Sequence, residues 1–90
     1  MKTKYTVITG ASSGIGRAVA LKFAERNKNL ILIARRKNLL EDLKSEILKK
    51  NPNLDILVID FDLTDVDKIP ELYSKLNNYH IEQCRFWNVW

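Results

Sequence analysis

TGASSGIG, residues 9–16, decides how the rest of this chain is read. It contains every glycine of the protein, Gly10, Gly14 and Gly16, within seven of the 90 positions. Ahead of it stands YTVIT, residues 5–9, short and β-branched, which reads as a strand. Behind it Ile15, Val19 and Phe23 recur at helical spacing, with Arg17, Lys22 and Glu25 between them. A strand that turns through glycines into a helix has a physical use for each one. Gly10 suits the tight turn out of the strand. Gly14 lets backbone approach a ligand with no Cβ in the way, and Gly16 lets the helix lie close on the sheet. The helix N-terminus adds unpaired N–H groups and the positive end of the helix dipole, which suit a pyrophosphate. Ser12 and Ser13 place hydroxyls at the same mouth. The spacing G-x-x-x-G-x-G is not that of a P-loop, which needs Gly-Lys-Ser/Thr where this chain has Ile15, Gly16 and Arg17.

Outward from this loop the pattern repeats. Asn27-Lys28-Asn29 ends the first helix with turn residues, and LILIA, residues 30–34, is a continuous apolar run. Leu39, Leu43 and Ile47 then mark a second helix, which Asn51-Pro52-Asn53 stops. DILVID, residues 55–60, is the third strand, an acidic loop covers residues 62–67, and a third helix runs from about Pro70 to about Asn78. Strands apolar on both faces and separated by helices predict an α/β fold with a parallel sheet. The order is βαβαβα. Residues 1–80 form the nucleotide-binding half in this reading, and residues 81–90 an atypical tail.

Composition excludes several classes. A hydrophobic content of 46% with 29% charged residues is that of a globular protein. No apolar run approaches the ~20 residues that span a bilayer, and the N-terminus lacks the long apolar core of a signal peptide. The one cysteine, Cys84, builds no internal disulfide, and a reducing, cytoplasmic setting is expected. The net charge of +4 rests largely on Lys37, Lys44, Lys49 and Lys50, interleaved with Glu41, Asp42 and Glu46. That is a solvated helix face rather than a nucleic-acid surface. No cluster of residues suggests a metal site, and the lone His80 near a helix end reads as a surface residue.

TGASSGIG resembles the cofactor loop of the short-chain dehydrogenase/reductase family, T-G-x-x-x-G-[IL]-G, at every fixed position, Ile15 included. LILIARR after the second strand and DLTD at residues 62–65 resemble that family's adenosine-side elements. The resemblance covers residues 3 to about 80, the first third of a typical member, and implies part of a doubly wound, Rossmann-type sheet with strand order 3-2-1, the fourth strand and all that follows being absent. It implies NADP(H) or NAD(H) binding and hydride transfer between a nicotinamide and a carbonyl or alcohol. It also implies that Asp62 meets the adenine amino group and that Leu63 supports the ring; the bland alternative for such an acidic loop is helix capping.

The residues after the second strand choose between the cofactors. NAD-binding sheets usually place a carboxylate there to accept from the ribose 2′-OH. This chain has Ala34-Arg35-Arg36 and no carboxylate until Glu41. Guanidinium groups offer charge-assisted bonds to a 2′-phosphate that a carboxylate would repel, so NADP(H) is expected. The alternative is that both arginines merely begin a helix at the surface.

Family members use a tyrosine with a lysine four residues later, and a serine. Here Tyr5 is followed at that spacing by Thr9, Tyr73 by Asn77 and Tyr79 by Gln83, so no catalytic residue is assigned. With the first two helices on one face, the other face has only the third helix to cover it. Val7, Leu32, Ile56 and Val58 are expected on one face and Ile8, Ile31, Ile33, Leu57 and Ile59 on the other. Uncovered side chains forfeit about 1.5–3 kcal/mol each, so a bare face invites self-association or a partner chain. A non-catalytic NADP-binding module that completes its sheet with a partner is therefore the competing reading.

The tail QCRFWNVW, residues 83–90, stands where the family has a fourth strand ending in Asn-Asn-Ala-Gly. Phe86, Trp87, Val89 and Trp90 could pack on the bare face. One of its codings, CAA TGC AGG TTT TGG AAC GTA TGG, gives Asn-Ala-Gly-Phe-Gly-Thr-Tyr when moved by a single nucleotide. A shift of reading frame near the codon for Glu82 is the expected origin of the tail.

Overall fold

The computed structural model describes residues 3–12, 14–62 and 64–85, the last three by backbone alone. Four parallel strands, β1 (Lys4–Thr9), β2 (Asn29–Ala34), β3 (Ile56–Asp60) and β4 (His80–Arg85), lie in the order β3-β2-β1-β4. Helices α1 (Gly14–Glu25) and α2 (Lys37–Lys50) connect the first three strands, and α3 (Ile69–Leu76) follows one 3-10 turn, Val66–Lys68. The order 3-2-1 is the expected one.

The fourth strand corrects the expectation that it is missing. His80–Arg85 pairs in parallel with β1, Lys4 opposite His80 and Tyr5 opposite Ile81. Glu82 is then passed over, so that Thr6 faces Gln83 and Ile8 faces Arg85. This strand was illegible because His-Ile-Glu-Gln-Cys-Arg carries none of the apolar continuity that marks an inner parallel strand. Residues 86–90, on which the packing of Phe86, Trp87, Val89 and Trp90 was weighed, lie outside the described residues.

α1 and α2 share one face. Their Ala20, Ala24, Leu40, Leu43 and Ile47 pack on Ile8, Leu30, Leu32 and Ile56. The buried stripe of α1 is Gly16, Ala20 and Ala24, one position along from Ile15, Val19 and Phe23. A helix drawn close at Gly16 must turn its smallest residues to the sheet, leaving Val19 and Phe23 at the flank and Ile15 61% exposed. In α2 the stripe is Leu40, Leu43 and Ile47, with Leu39 half-buried. An ion pair between Arg17 and Glu46 joins the two helices.

The opposite face holds Tyr5, Val7, Ile31 and Ile33, closed by Leu72 of α3 with Leu76, Phe61 and Ile81 at its margin. The register sets Val7 beside Ile31 and Ile8 beside Leu32, the reverse of the expected assignment for those two residues. Nor is this face bare. Val7, Ile31 and Ile33 are fully buried, and Leu57 and Ile59 of the outer strand β3 are half-buried, as is Ile81 of β4.

Candidate functional site

Every residue singled out for cofactor binding follows the carboxyl end of β1, β2 or β3. The glycine loop leaves β1 at Gly10, whose φ of 65° lies in the left-handed region. Ala11 next donates its N–H to the Ile33 carbonyl at 3.3 Å, binding the loop to β2. At Gly16 a Cβ would stand 2.2 Å from the Gly10 carbonyl oxygen and 2.7 Å from its carbon, so α1 rests directly on the turn that precedes it. Gly14 differs. Its φ is 60°, and no atom lies within 4 Å of where its Cβ would be. One glycine makes the turn, one permits the helix contact, and one borders open space. Because α1 begins at Gly14, its first N–H groups have no acceptor inside the helix, and its first turn carries no acidic residue. Ser12 is half-buried and Ile15 exposed beside this opening, while Ser13 lies outside the described residues.

The second and third loops run alongside. Phe61 donates its N–H to the Ala34 carbonyl at 2.8 Å, which sets the start of the loop after β3 against the end of β2. Arg35 and Arg36 are both exposed there, and Arg36 takes the N-cap position of α2 without a side-chain cap bond. Asp62 is exposed, and its Oδ1 accepts both the Thr64 N–H at 2.9 Å and the Thr64 hydroxyl at 2.6 Å. These two bonds, with the nearby positive charge of Arg35, hold its carboxyl below the ordinary value. The capping position of the following 3-10 turn belongs to Asp65. Leu63 lies outside the described residues.

Thr64 is the site residue that sequence reasoning passed over. Its signal was the Asp-x-Thr spacing, in which a side-chain oxygen accepts from the backbone two residues on. Among the described residues no group of three or more His, Cys, Asp and Glu is placed to hold a metal, and no helix is long and apolar enough to cross a membrane. His80 is exposed at the start of β4.

A parallel sheet that carries its glycine turn, open helix N-terminus and exposed charges on one edge is a nucleotide-binding α/β architecture. The sequence profile of the short chain dehydrogenases matches residues 4–81, and the chain belongs to that family. It is 31% identical over 78 residues to the NADPH-dependent reductase BacG of Bacillus subtilis, covering 87% of this chain and 30% of that one. The crystal structure of a β-ketoacyl-[ACP] reductase from Bacteroides thetaiotaomicron superposes with a TM-score of 0.83 at 28% identity, covering 98% of this chain and 41% of that one. A short-chain dehydrogenase from Sphingobium yanoikuyae, solved in complex with NADPH, does so with a TM-score of 0.74 at 33% identity, covering 81% and 28%. The chain spans only 22 to 30% of the length of its curated relatives.

Proposed function

We propose that this chain is the NADP(H)-binding portion of a short-chain dehydrogenase/reductase. The enzyme in question moves hydride between the nicotinamide and a carbonyl or alcohol. In this reading Gly10, Ser12, Ser13, Gly14, Ile15 and Gly16 cradle the pyrophosphate, Arg35 and Arg36 meet the 2′-phosphate, and Asp62 and Leu63 border the adenine. The ninety residues supply cofactor binding and none of the Ser, Tyr and Lys chemistry. The observation that carries the reading is the pairing, on one sheet edge, of an open helix N-terminus with two exposed arginines after β2. The NADPH associated with the Bacillus and Sphingobium proteins supports the same cofactor.

The test is calorimetric binding of NADP+ and NAD+ to the chain and to the double variant Arg35→Ala, Arg36→Ala. Each charge-assisted bond contributes about 1.5 kcal/mol or more, so the double change should weaken NADP+ about a hundredfold and NAD+ less than threefold. Equal losses for both nucleotides would remove the 2′-phosphate assignment.

A second reading concerns residues 81–90. We propose that this segment is read out of frame. β4 is an inner position of the family's sheet, and its register sets Gln83 and Arg85 opposite the fully buried Thr6 and Ile8. Parallel strands buried on both faces are apolar almost throughout, whereas His80–Arg85 has only Ile81 and Cys84 of that kind. In one coding of residues 83–90 the neighbouring frame reads Asn-Ala-Gly at this place. Sequencing the encoding DNA beyond the Tyr79 codon should show that frame continuing to a serine and a Tyr-x-x-x-Lys. Stop codons closing every frame would overturn it.

A further inference from the structure

Along the sequence the charges alternate, but the fold sorts them by edge. The strands begin level at the amino edge, with Lys4 opposite His80, Tyr5 opposite Asn29 and Leu30 opposite Ile56. Helices α1, α2 and α3 end there, and each carries lysine in its last turn: Lys22, then Lys49 and Lys50, then Lys75. Lys4 and Arg26 complete a set of six exposed cations, and half-buried Lys28 is a seventh. Against these seven stand three carboxylates, Glu25, Asp55 and Glu82, each engaged within the edge. Glu82 pairs with Lys28 at 3.3 Å, Glu25 with Lys22 at 3.7 Å, and Asp55 accepts the Tyr5 hydroxyl. The other eight cations of the chain are matched by eight carboxylates, so the whole net charge of +4 belongs to the amino edge. Among the described residues, Lys4, Arg26, Lys49, Lys50 and Lys75 have no ion-pair partner.

The helix dipole favours a cation near each helix C-terminus and so explains part of the pattern. It does not explain Lys4, which starts a strand. Because strand starts and helix ends lie at one level in a parallel α/β fold, these cations form a level array rather than a ridge. Asn51 joins the ends of α1 and α2, its side-chain N–H donating to the Ala24 carbonyl at 3.0 Å. Leu21, Phe23 and Leu48 beside them are half-buried, so the edge offers charge rather than an apolar wedge.

We propose that the amino edge is a docking surface for an anionic bilayer, with its lysines and Arg26 resting on the lipid headgroups. A flat anionic sheet meets a level array of cations along its whole width, whereas a nucleic-acid groove calls for a projecting helix or ribbon. Docking at this edge leaves the glycine loop, at the opposite edge, facing away from the lipid. The proposal does not depend on which nucleotide that loop holds.

The test is co-sedimentation of the chain with vesicles of phosphatidylcholine alone and of phosphatidylcholine with about a third phosphatidylserine. The chain should sediment with the second and stay in solution with the first. Binding should fall away as added salt shortens the Debye length from about 10 Å to about 3 Å. Each exposed cation at such a surface strengthens binding about fivefold, so Lys49→Gln with Lys50→Gln should weaken it about twenty-five-fold. Lys37 opens α2 and Lys68 ends the 3-10 turn, both on the carboxyl side of the sheet. Lys37→Gln with Lys68→Gln removes the same net charge and should weaken binding less than about threefold. All four lysines are exposed, and a far-UV melt of each double variant checks its folding.

No sedimentation with either vesicle overturns the proposal. So does equal sedimentation with both, which would assign binding to apolar contact. Equal weakening by the two double variants would make net charge, and not this edge, responsible. Duplex DNA of random sequence bound as tightly as the anionic vesicles at the same salt would put a nucleic acid in place of the bilayer and overturn it as well.

Discussion

The two edges of the sheet are built by opposite means. At the amino edge, side chains from distant parts of the chain close on one another. The Tyr5 hydroxyl donates to the Asp55 carboxylate, 50 residues away, and the Tyr79 ring stands edge-on to Tyr5 with centroids 5.4 Å apart. Asn29 accepts from the Asp55 N–H at 2.8 Å, and Lys28 pairs with Glu82 at 3.3 Å. At the carboxyl edge much of the shaping is done by backbone, through left-handed glycines and a helix resting on a carbonyl, and Arg35, Arg36 and Asp62 are exposed. The same strands end in both places. What differs is the reach of the side-chain bonds: at the amino edge they join residues 26 to 54 positions apart, whereas at the carboxyl edge Asp62 and Thr64 bond within one turn.

The largest effect that would break this contrast lies at Gly16. A methyl group there meets the backbone of Gly10 at 2.2 Å, and backbone cannot swing aside as a side chain can. Gly16→Ala should therefore cost about 3 kcal/mol in a denaturant midpoint measurement, at the upper end of ordinary overpacking. Gly14→Ala adds the same methyl to open space, and only its φ of 60° opposes it, so about 1 kcal/mol is expected. Equal costs at the two positions would mean that the helix is not seated on the turn. Nucleotide affinity should separate them as well, since in the proposed pyrophosphate cradle a methyl at Gly14 would occupy the open space beside the loop.

The carboxyl edge was the more legible of the two, for a physical reason. Glycine alone reaches these backbone positions without strain, so Gly10, Gly14 and Gly16 stand in the sequence as themselves. Arg35, Arg36 and Asp62 were equally visible as charges at strand ends. Thr64 was passed over because its role is relational, a donor set two residues from its acceptor. The amino edge could not be read at all, since nothing local links Tyr5 to Asp55. Apolar runs were the other blind spot. Val7 and Ile8 were placed on the wrong faces because a strand buried on both sides has no alternation to follow. The stripe of α1 was displaced by one position because hydrophobicity favours Ile15, Val19 and Phe23, whereas close approach selects Gly16, Ala20 and Ala24. β4 escaped notice because its polar sequence lacks the apolar run by which the other parallel strands were read.

The amino edge offers the smaller and sharper test. Tyr5 is buried, and its hydroxyl has a carboxylate as acceptor, so the bond to Asp55, together with burial, pushes its pKa up to about 12 from 10.0. The folded chain thus holds this proton more tightly than the unfolded one. The associated stability is complete below about pH 10 and is lost as the pH rises from there through about 12. Tyr5→Phe removes the hydroxyl while keeping the ring against Tyr79 and Val7, and it should cost about 1 kcal/mol at pH 8. Measured by urea unfolding at successive pH values, the gap between the two proteins should narrow above pH 10 and close near pH 12. The remaining ionisable groups are the same in both proteins, and the difference between the curves removes them. A gap that stays constant to pH 12 would mean that the hydroxyl proton is not what fastens β1 to Asp55, and that the amino edge is held by packing alone.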